Sequence, residues 1–206
     1  MDAPPAARAV QQGAGIFYFD LASPLCYLAA ELISVALPQL RDWRAVSERR
    51  LHDGRHTWPR RQVERDGHRL GLLPLRWPPE PAGELREALL AATYAREVGR
   101  GIAFARAAFR QAFAGGQDLS DADRLLIAGA ACELHPTALL KASSSRRTEA
   151  LLEASTRAAI AAGVRSLPAV LAGGERHCGW QEVSALCTKL RDDGAQTQPA
   201  LAGGSL

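Results

Sequence analysis

The chain has 206 residues, long enough for a substantial core in one domain or in one domain with an insert. Twenty-five lysines and arginines against 22 aspartates and glutamates leave a formal charge of +3, an excess too small to argue for nucleic acid as a partner. No apolar run reaches the length of a membrane span, and residues 1–15 hold neither a secretory signal nor an anchor, which predicts a protein of the cytoplasm.

Residues 1–13 show no packing stripe and are expected to be disordered. The run Ile16 to Phe19 is aromatic and apolar, stops at Asp20 and a small-residue turn, and reads as a buried strand. A helix start follows: Ser23 suits the N-cap, Pro24 the first helical position, and Leu25, Leu28, Ala29, Leu32 and Ile33 recur at helical spacing up to Pro38. Ser23 and Cys26 therefore sit at the positive end of a helix dipole, where backbone N–H groups stabilise an anion. Trp43 to Leu51 is expected to be a second strand.

Residues 52–59 are polar and mark the exit from the first half of the main domain. His52 and His56 are four apart with no second pair nearby, so no metal site is expected. Arginines crowd between Arg41 and Arg76, either as a solvated surface or as a basic rim for an anionic substrate. A basic helix is predicted over Arg61–Arg69, and the prolines of Leu72–Pro81 force an extended path. From Gly83 to Ser155 the pattern is helical throughout, with Ser120 and Asp123 as a capping box for one helix and Pro136 opening another. After Gly163, Ala169–Ala172 and Arg176–Cys178 flank a Gly173-Gly174 hairpin turn, a helix runs from Trp180 to Leu190, and residues 192–206 form a tail without a packing face. The order is β-α-β, a long helical block, then β-β-α, an α/β thioredoxin fold with an all-helical insertion. The predicted division is 14–59 with 156–191 as the thioredoxin-like domain and 60–155 as the insert.

Three segments also carry a family resemblance. Phe17-Tyr18-Phe19-Asp20 leading into Ser23-Pro24-Leu25-Cys26-Tyr27-Leu28-Ala29 resembles the active-site segment of the DsbA-like thioredoxin superfamily, in particular the branch of kappa-class glutathione transferases and 2-hydroxychromene-2-carboxylate isomerases. Gly163-Val164-Arg165-Ser166-Leu167-Pro168 resembles that family's Gly-Val-x-x-Val-Pro segment, whose proline is cis and faces the active-site turn. Arg96–Phe104, Phe109–Phe113 and Asp118–Asp121 are similar to its helical insert. The resemblance spans Ile16 to Leu190 and implies the same architecture, with glutathione as the cofactor, an oxidoreductase or isomerase activity, and a homodimer as a compatible assembly.

A dithiol oxidoreductase attacks with the first thiol of such a motif and resolves with the thiol three residues on. Serine in the first place excludes that cycle, but a serine hydroxyl can donate to a thiolate supplied by another molecule. A charge-assisted hydrogen bond of about 1.5–3 kcal/mol with a helix-end contribution of roughly 0.3–1 kcal/mol lowers a thiol pKa by on the order of one to three units. The resemblance gives that role to Ser23, with Pro24 beside it and with Leu167 and Pro168 as the platform along which a thiol peptide lies. It places Trp180 and Gln181 at the γ-glutamyl end of glutathione, where Gln181 stands in place of the family's aspartate. Gly83 likewise replaces an asparagine. Cys26 is either a small buried hydrophobe or a single reactive thiol. Three functions follow: a thiol-dependent enzyme acting on an aromatic or anionic substrate, a non-catalytic binding module, and a single-thiol redox protein using Cys26.

Overall fold

A computed structural model of the chain describes residues 8, 9, 12, 14–51, 59–79 and 85–197. His52, His56 and Gly83 lie outside the described residues. The elements run β1 (Gly15–Phe19), α1 (Pro24–Ala36), β2 (Asp42–Ala45), a 3-10 turn (Glu48–Arg50), α2 (Arg60–Arg69), α3 (Arg86–Glu97), α4 (Gly101–Phe113), α5 (Ala122–Ala130), α6 (Pro136–Ala142), α7 (Arg146–Ala161), β3 (Ala169–Ala172), β4 (Glu175–Cys178) and α8 (Trp180–Thr197). The four strands form one mixed sheet in the order β2-β1-β3-β4. β2 runs parallel to β1, while β3 is antiparallel to both β1 and β4. This is the thioredoxin fold expected from the pattern, with helices α2 to α6 inserted after β2.

β1 is one of the two inner strands, and Phe17, Tyr18 and Phe19 are all buried. Phe17 and Phe19 are two residues apart and so share one face of the sheet. Trp43 of β2 meets Phe17 edge-on at 4.9 Å between ring centres, and Phe109 of α4 reaches Phe19 at 5.6 Å. One residue pair, Tyr27 and Phe113, stacks at 5.6 Å and ties α1 to the same insert helix. Truncating a buried phenylalanine of this kind costs about 3–5 kcal/mol, so the helical block and the sheet share a single core. On the rim, Arg110 of α4 grips Glu31 of α1 with two hydrogen bonds of 2.6 and 2.8 Å.

Several expectations need correction. β2 stops at Ala45 and does not continue to Leu51, because after Val46, whose N–H still bonds Phe19 O at 2.9 Å, the backbone donors turn to side chains. Ser47 N–H reaches Thr156 Oγ1 of α7 at 3.3 Å, and Glu48 N–H reaches Asp20 Oδ2 at 2.8 Å. The cap of α5 is Asp121 and not Ser120, since the Asp121 side chain accepts the Asp123 N–H. Helix α7 packs against both α3 and β2. The last helix continues through residues expected to belong to the tail, as far as Thr197. Near the N-terminus, Ala9 is buried and Gln12 N–H bonds Arg8 O, so that part of the expected disordered segment is packed.

Candidate functional site

The strand registers decide where the site lies. Phe19 of β1 pairs with Ala45 of β2, and Tyr18 pairs with Ala169 of β3. The C-terminal ends of β1 and β2 and the N-terminal start of β3 therefore meet at one end of the sheet, the end at which open α/β folds bind ligands. The Asp20–Ser23 turn, the Glu48 turn and the Leu167-Pro168 bond all emerge there.

The turn after β1 is built by Asp20. Its Oδ1 accepts the Ala22 N–H at 2.9 Å and its backbone carbonyl accepts the Ser23 N–H, which delivers Ser23 to the N-cap of α1. Ser23 Oγ accepts the Cys26 N–H at 3.4 Å, and Pro24 occupies the first turn as expected. Ser23 is fully buried, and the hydroxyl hydrogen left after accepting this bond has the Cys26 thiol as the sulfur beside it. The Leu167-Pro168 peptide is cis. The Pro168 carbonyl is held by Gly179 N–H at 2.8 Å, so the start of β3 is pinned by the loop that ends β4.

Glu48 joins the two sides. Its N–H is held by Asp20 Oδ2 at 2.8 Å. Asp20 and Glu48 are both buried, and burial pushes the Glu48 carboxyl up to about 8, with the Asp20 charge adding to the effect and the nearby Leu167 backbone opposing it. A carboxyl in this position is mainly protonated at neutral pH. Glu48 and Asp20 together form a carboxyl pair that the sequence reading did not single out. The available signal was an acid inside a segment expected to be a buried strand.

Cys26 is fully buried. Burial raises its thiol well above the ordinary range, the Glu48 charge raises it further, and hydrogen bonds from the Asp20 backbone and the Ser23 side chain only partly oppose this. All four cysteines are free. Trp180 and Gln181 part company: Trp180 is buried with its indole N–H donated to Asp66 Oδ2 of α2 at 2.9 Å, whereas Gln181 is exposed. The indole hydrogen is thus engaged in holding α8 to α2.

A cavity of about 230 Å³ lies between α3, α7 and the turn after β2, with Ser47, Arg50, Leu89, Leu152 and Thr156 among its lining. Arg50 pairs with Glu153 at 3.3 Å and Arg86 with Glu149 across it. Its volume is below the ~300–1,000 Å³ of pockets for drug-sized ligands, which suits a small molecule. No sequence signal marked it, because its walls come from segments about a hundred residues apart.

Among the described residues no group of three or more His, Cys, Asp or Glu side chains is placed to hold a metal ion, and no helix is long and apolar enough to cross a membrane.

A cis-proline and a capped helix start at the same end of a four-stranded mixed sheet of this strand order define a thioredoxin-fold protein. Residues 16–191 match the model of the DSBA-like thioredoxin domain, so the chain belongs to the DsbA-like thioredoxin family of oxidoreductases and isomerases. Among solved structures, a 2-hydroxychromene-2-carboxylate isomerase superposes with a TM-score of 0.72 at 20% identity, covering 89% of this chain and 99% of that one. A candidate DsbA oxidoreductase from Streptomyces coelicolor gives 0.70 at 16% identity, covering 93% and 94%. A candidate protein disulfide isomerase from Nitrosomonas europaea gives 0.64 at 16% identity, covering 89% and 98%. No curated protein matches the sequence.

Proposed function

We propose that the chain is an enzyme of the isomerase or transferase kind that works through a bound thiol, glutathione being the candidate, with Ser23 as the residue that stabilises its thiolate. The observation that carries this reading is the Ser23 N-cap at the ligand-binding end of the sheet, at the same end as the Leu167-Pro168 segment. In this reading the thiol lies over the first turn of α1, where the Ser23 hydroxyl donates to sulfur and the helix dipole favours negative charge. The peptide part of the thiol lies along Leu167, in the manner of strand addition. The cavity beside Ser47 is the candidate seat of an aromatic or anionic second substrate, with Arg50 and Arg86 exchanging their glutamate partners for the substrate's carboxylate.

Cys26 is read as a packing residue. A thiol that is fully buried and has its ionisation suppressed by burial does not serve as a nucleophile at neutral pH. Trp180 is assigned to the scaffold, and Gln181, exposed at the start of α8, keeps the role of a contact for the γ-glutamyl end.

The test is a titration with glutathione at neutral pH, followed by ultraviolet thiolate absorbance. The expected result is a saturable thiolate signal that Ser23→Ala removes. Binding without that signal would instead support a binding module, and a signal that survives Ser23→Ala would remove Ser23 from the mechanism.

A further inference from the structure

The cavity between α3, α7 and the turn after β2 has an apolar floor and a charged rim. Leu89 and Leu152 are buried at its base, and the Ser47 N–H bond to Thr156 Oγ1 at 3.3 Å fixes the turn to α7. The rim carries two arginines and two glutamates from three separate elements. Arg50 of the turn pairs with Glu153 of α7 at 3.3 Å, and Arg86 of α3 pairs with Glu149 of α7. Glu149 and Glu153 lie one helical turn apart on the face that also bears Leu152, and like charges at that spacing repel. The lining is therefore balanced in sign, and each glutamate is met by an arginine from another element.

We propose that this cavity takes an α-amino acid with an apolar side chain, its carboxylate on Arg50 and its ammonium group on Glu153. The proposal rests on the reading of the cavity as the seat of the second substrate and names the class of that substrate. A zwitterion enters an ion pair without leaving either partner alone, since one pair opens and two form. Arg50 and Glu153 part at little cost, because both side chains are long and reach solvent, at 58% and 39% exposure, and exposed pairs contribute little to stability. The apolar side chain of the ligand then covers Leu89 and Leu152. A volume of about 230 Å³ suits a ligand of this size.

The neighbouring charges rank the alternatives. An acid without an amino group takes Arg50 from Glu153, and Glu153 then keeps Arg157, one turn further along α7 at 3.4 Å. An amine without a carboxylate takes Glu153 from Arg50 and leaves that guanidinium unmet, because Glu149 is held by Arg86. The expected order of affinity is amino acid, then acid, then amine.

Calorimetric titration of the full chain at neutral pH with L-phenylalanine, 3-phenylpropionate and 2-phenylethylamine tests this order, the three sharing one ring and differing in charge. Phenylalanine is expected to bind saturably and phenylpropionate about fivefold more weakly, the worth of one partly exposed ion pair. Phenylethylamine should be weaker again. Glu153→Gln should bring phenylalanine down to the level of phenylpropionate, Arg157→Gln should weaken phenylpropionate alone, and Arg50→Gln should weaken both. No binding of phenylalanine, equal affinity for phenylalanine and phenylpropionate, or a preference that survives Glu153→Gln overturns the proposal. If glutathione still gives its thiolate signal in that event, the amino-acid site falls and the Ser23 reading stands. Binding in the expected order without any thiolate signal supports the site and removes the thiol-dependent reading instead. Displacement of phenylalanine by saturating glutathione would put the γ-glutamyl end of the thiol in the cavity and overturn a separate second-substrate site.

Discussion

Two buried acids in this molecule are about equally hidden, Glu48 at 8% exposure and Asp66 at 7%, yet their surroundings differ in kind. Asp66 of α2 receives Trp180 Nε1 and Gln62 Nε2 on one oxygen, both at 2.9 Å, and Arg69 at 3.2 Å on the other. Its negative charge is met by three donors, one of them a guanidinium, and the result is a joint between α2 and α8. Glu48 has the Asp20 carboxyl for a neighbour, and burial together with that charge pushes its carboxyl up to about 8. A buried acid met by several donors is architecture, whereas a buried acid beside a second acid holds its proton and becomes sensitive to pH. The contrast separates a scaffold residue from a site residue where burial alone does not.

The largest effect that tests this contrast is the pH dependence of stability. A carboxyl whose folded-state pKa is raised, here from the ordinary 4.5 to about 8, binds its proton more tightly in the folded protein. Its contribution is complete below about 4.5 and is lost as the pH rises through about 8. At ~1.4 kcal/mol per unit, that is a loss on the order of 5 kcal/mol for this one group. Urea unfolding across that range should show wild type weakening with pH more steeply than Glu48→Gln, and parallel profiles for the two proteins would dismiss the protonated carboxyl. Asp66→Ala should come next. It leaves the buried Trp180 N–H and the Gln62 amide without their acceptor and should cost about 2–3 kcal/mol in urea unfolding. A loss within a few tenths of a kcal/mol of zero would dismiss Asp66 as the joint between α2 and α8.

Much of this architecture was legible in the sequence. The aromatic strand, the Ser23-Pro24 helix start, the Gly173-Gly174 hairpin and the cis-proline at 168 all follow from local chemistry or from a motif, and short-range signals of this sort survive folding. The Glu48 turn did not, because what ends β2 is distant: Asp20 lies 28 residues away and Thr156 of α7 lies 109 residues from Ser47. A run such as Trp43 to Leu51 reads as a strand until those partners are in place. The partner of the Trp180 indole was out of reach for a similar reason, since Asp66 of α2, which takes its N–H, lies 114 residues away. The extent of α8 exceeded expectation because residues 191–197 lack an apolar stripe, the signal on which helix ends are judged.

The remaining effects are smaller and separate the two polar side chains of the first turn of α1. Ser23→Ala removes the side-chain acceptor of the Cys26 N–H and should lower stability by about 1 kcal/mol, the usual loss for a serine N-cap, while abolishing the glutathione thiolate signal. Cys26→Ala removes one buried sulfur and should also cost about 1 kcal/mol, with the thiolate signal intact. The two variants are therefore matched in stability and opposed in function. Alkylation by iodoacetamide at neutral pH supplies the second axis: Cys178, partly exposed, should react first, and Cys26, fully buried and protonated, only on unfolding. Rapid modification of Cys26 in the native protein, or a glutathione adduct on it by mass spectrometry, would move the reactive sulfur from the ligand to the chain and reverse the assignment of these two residues.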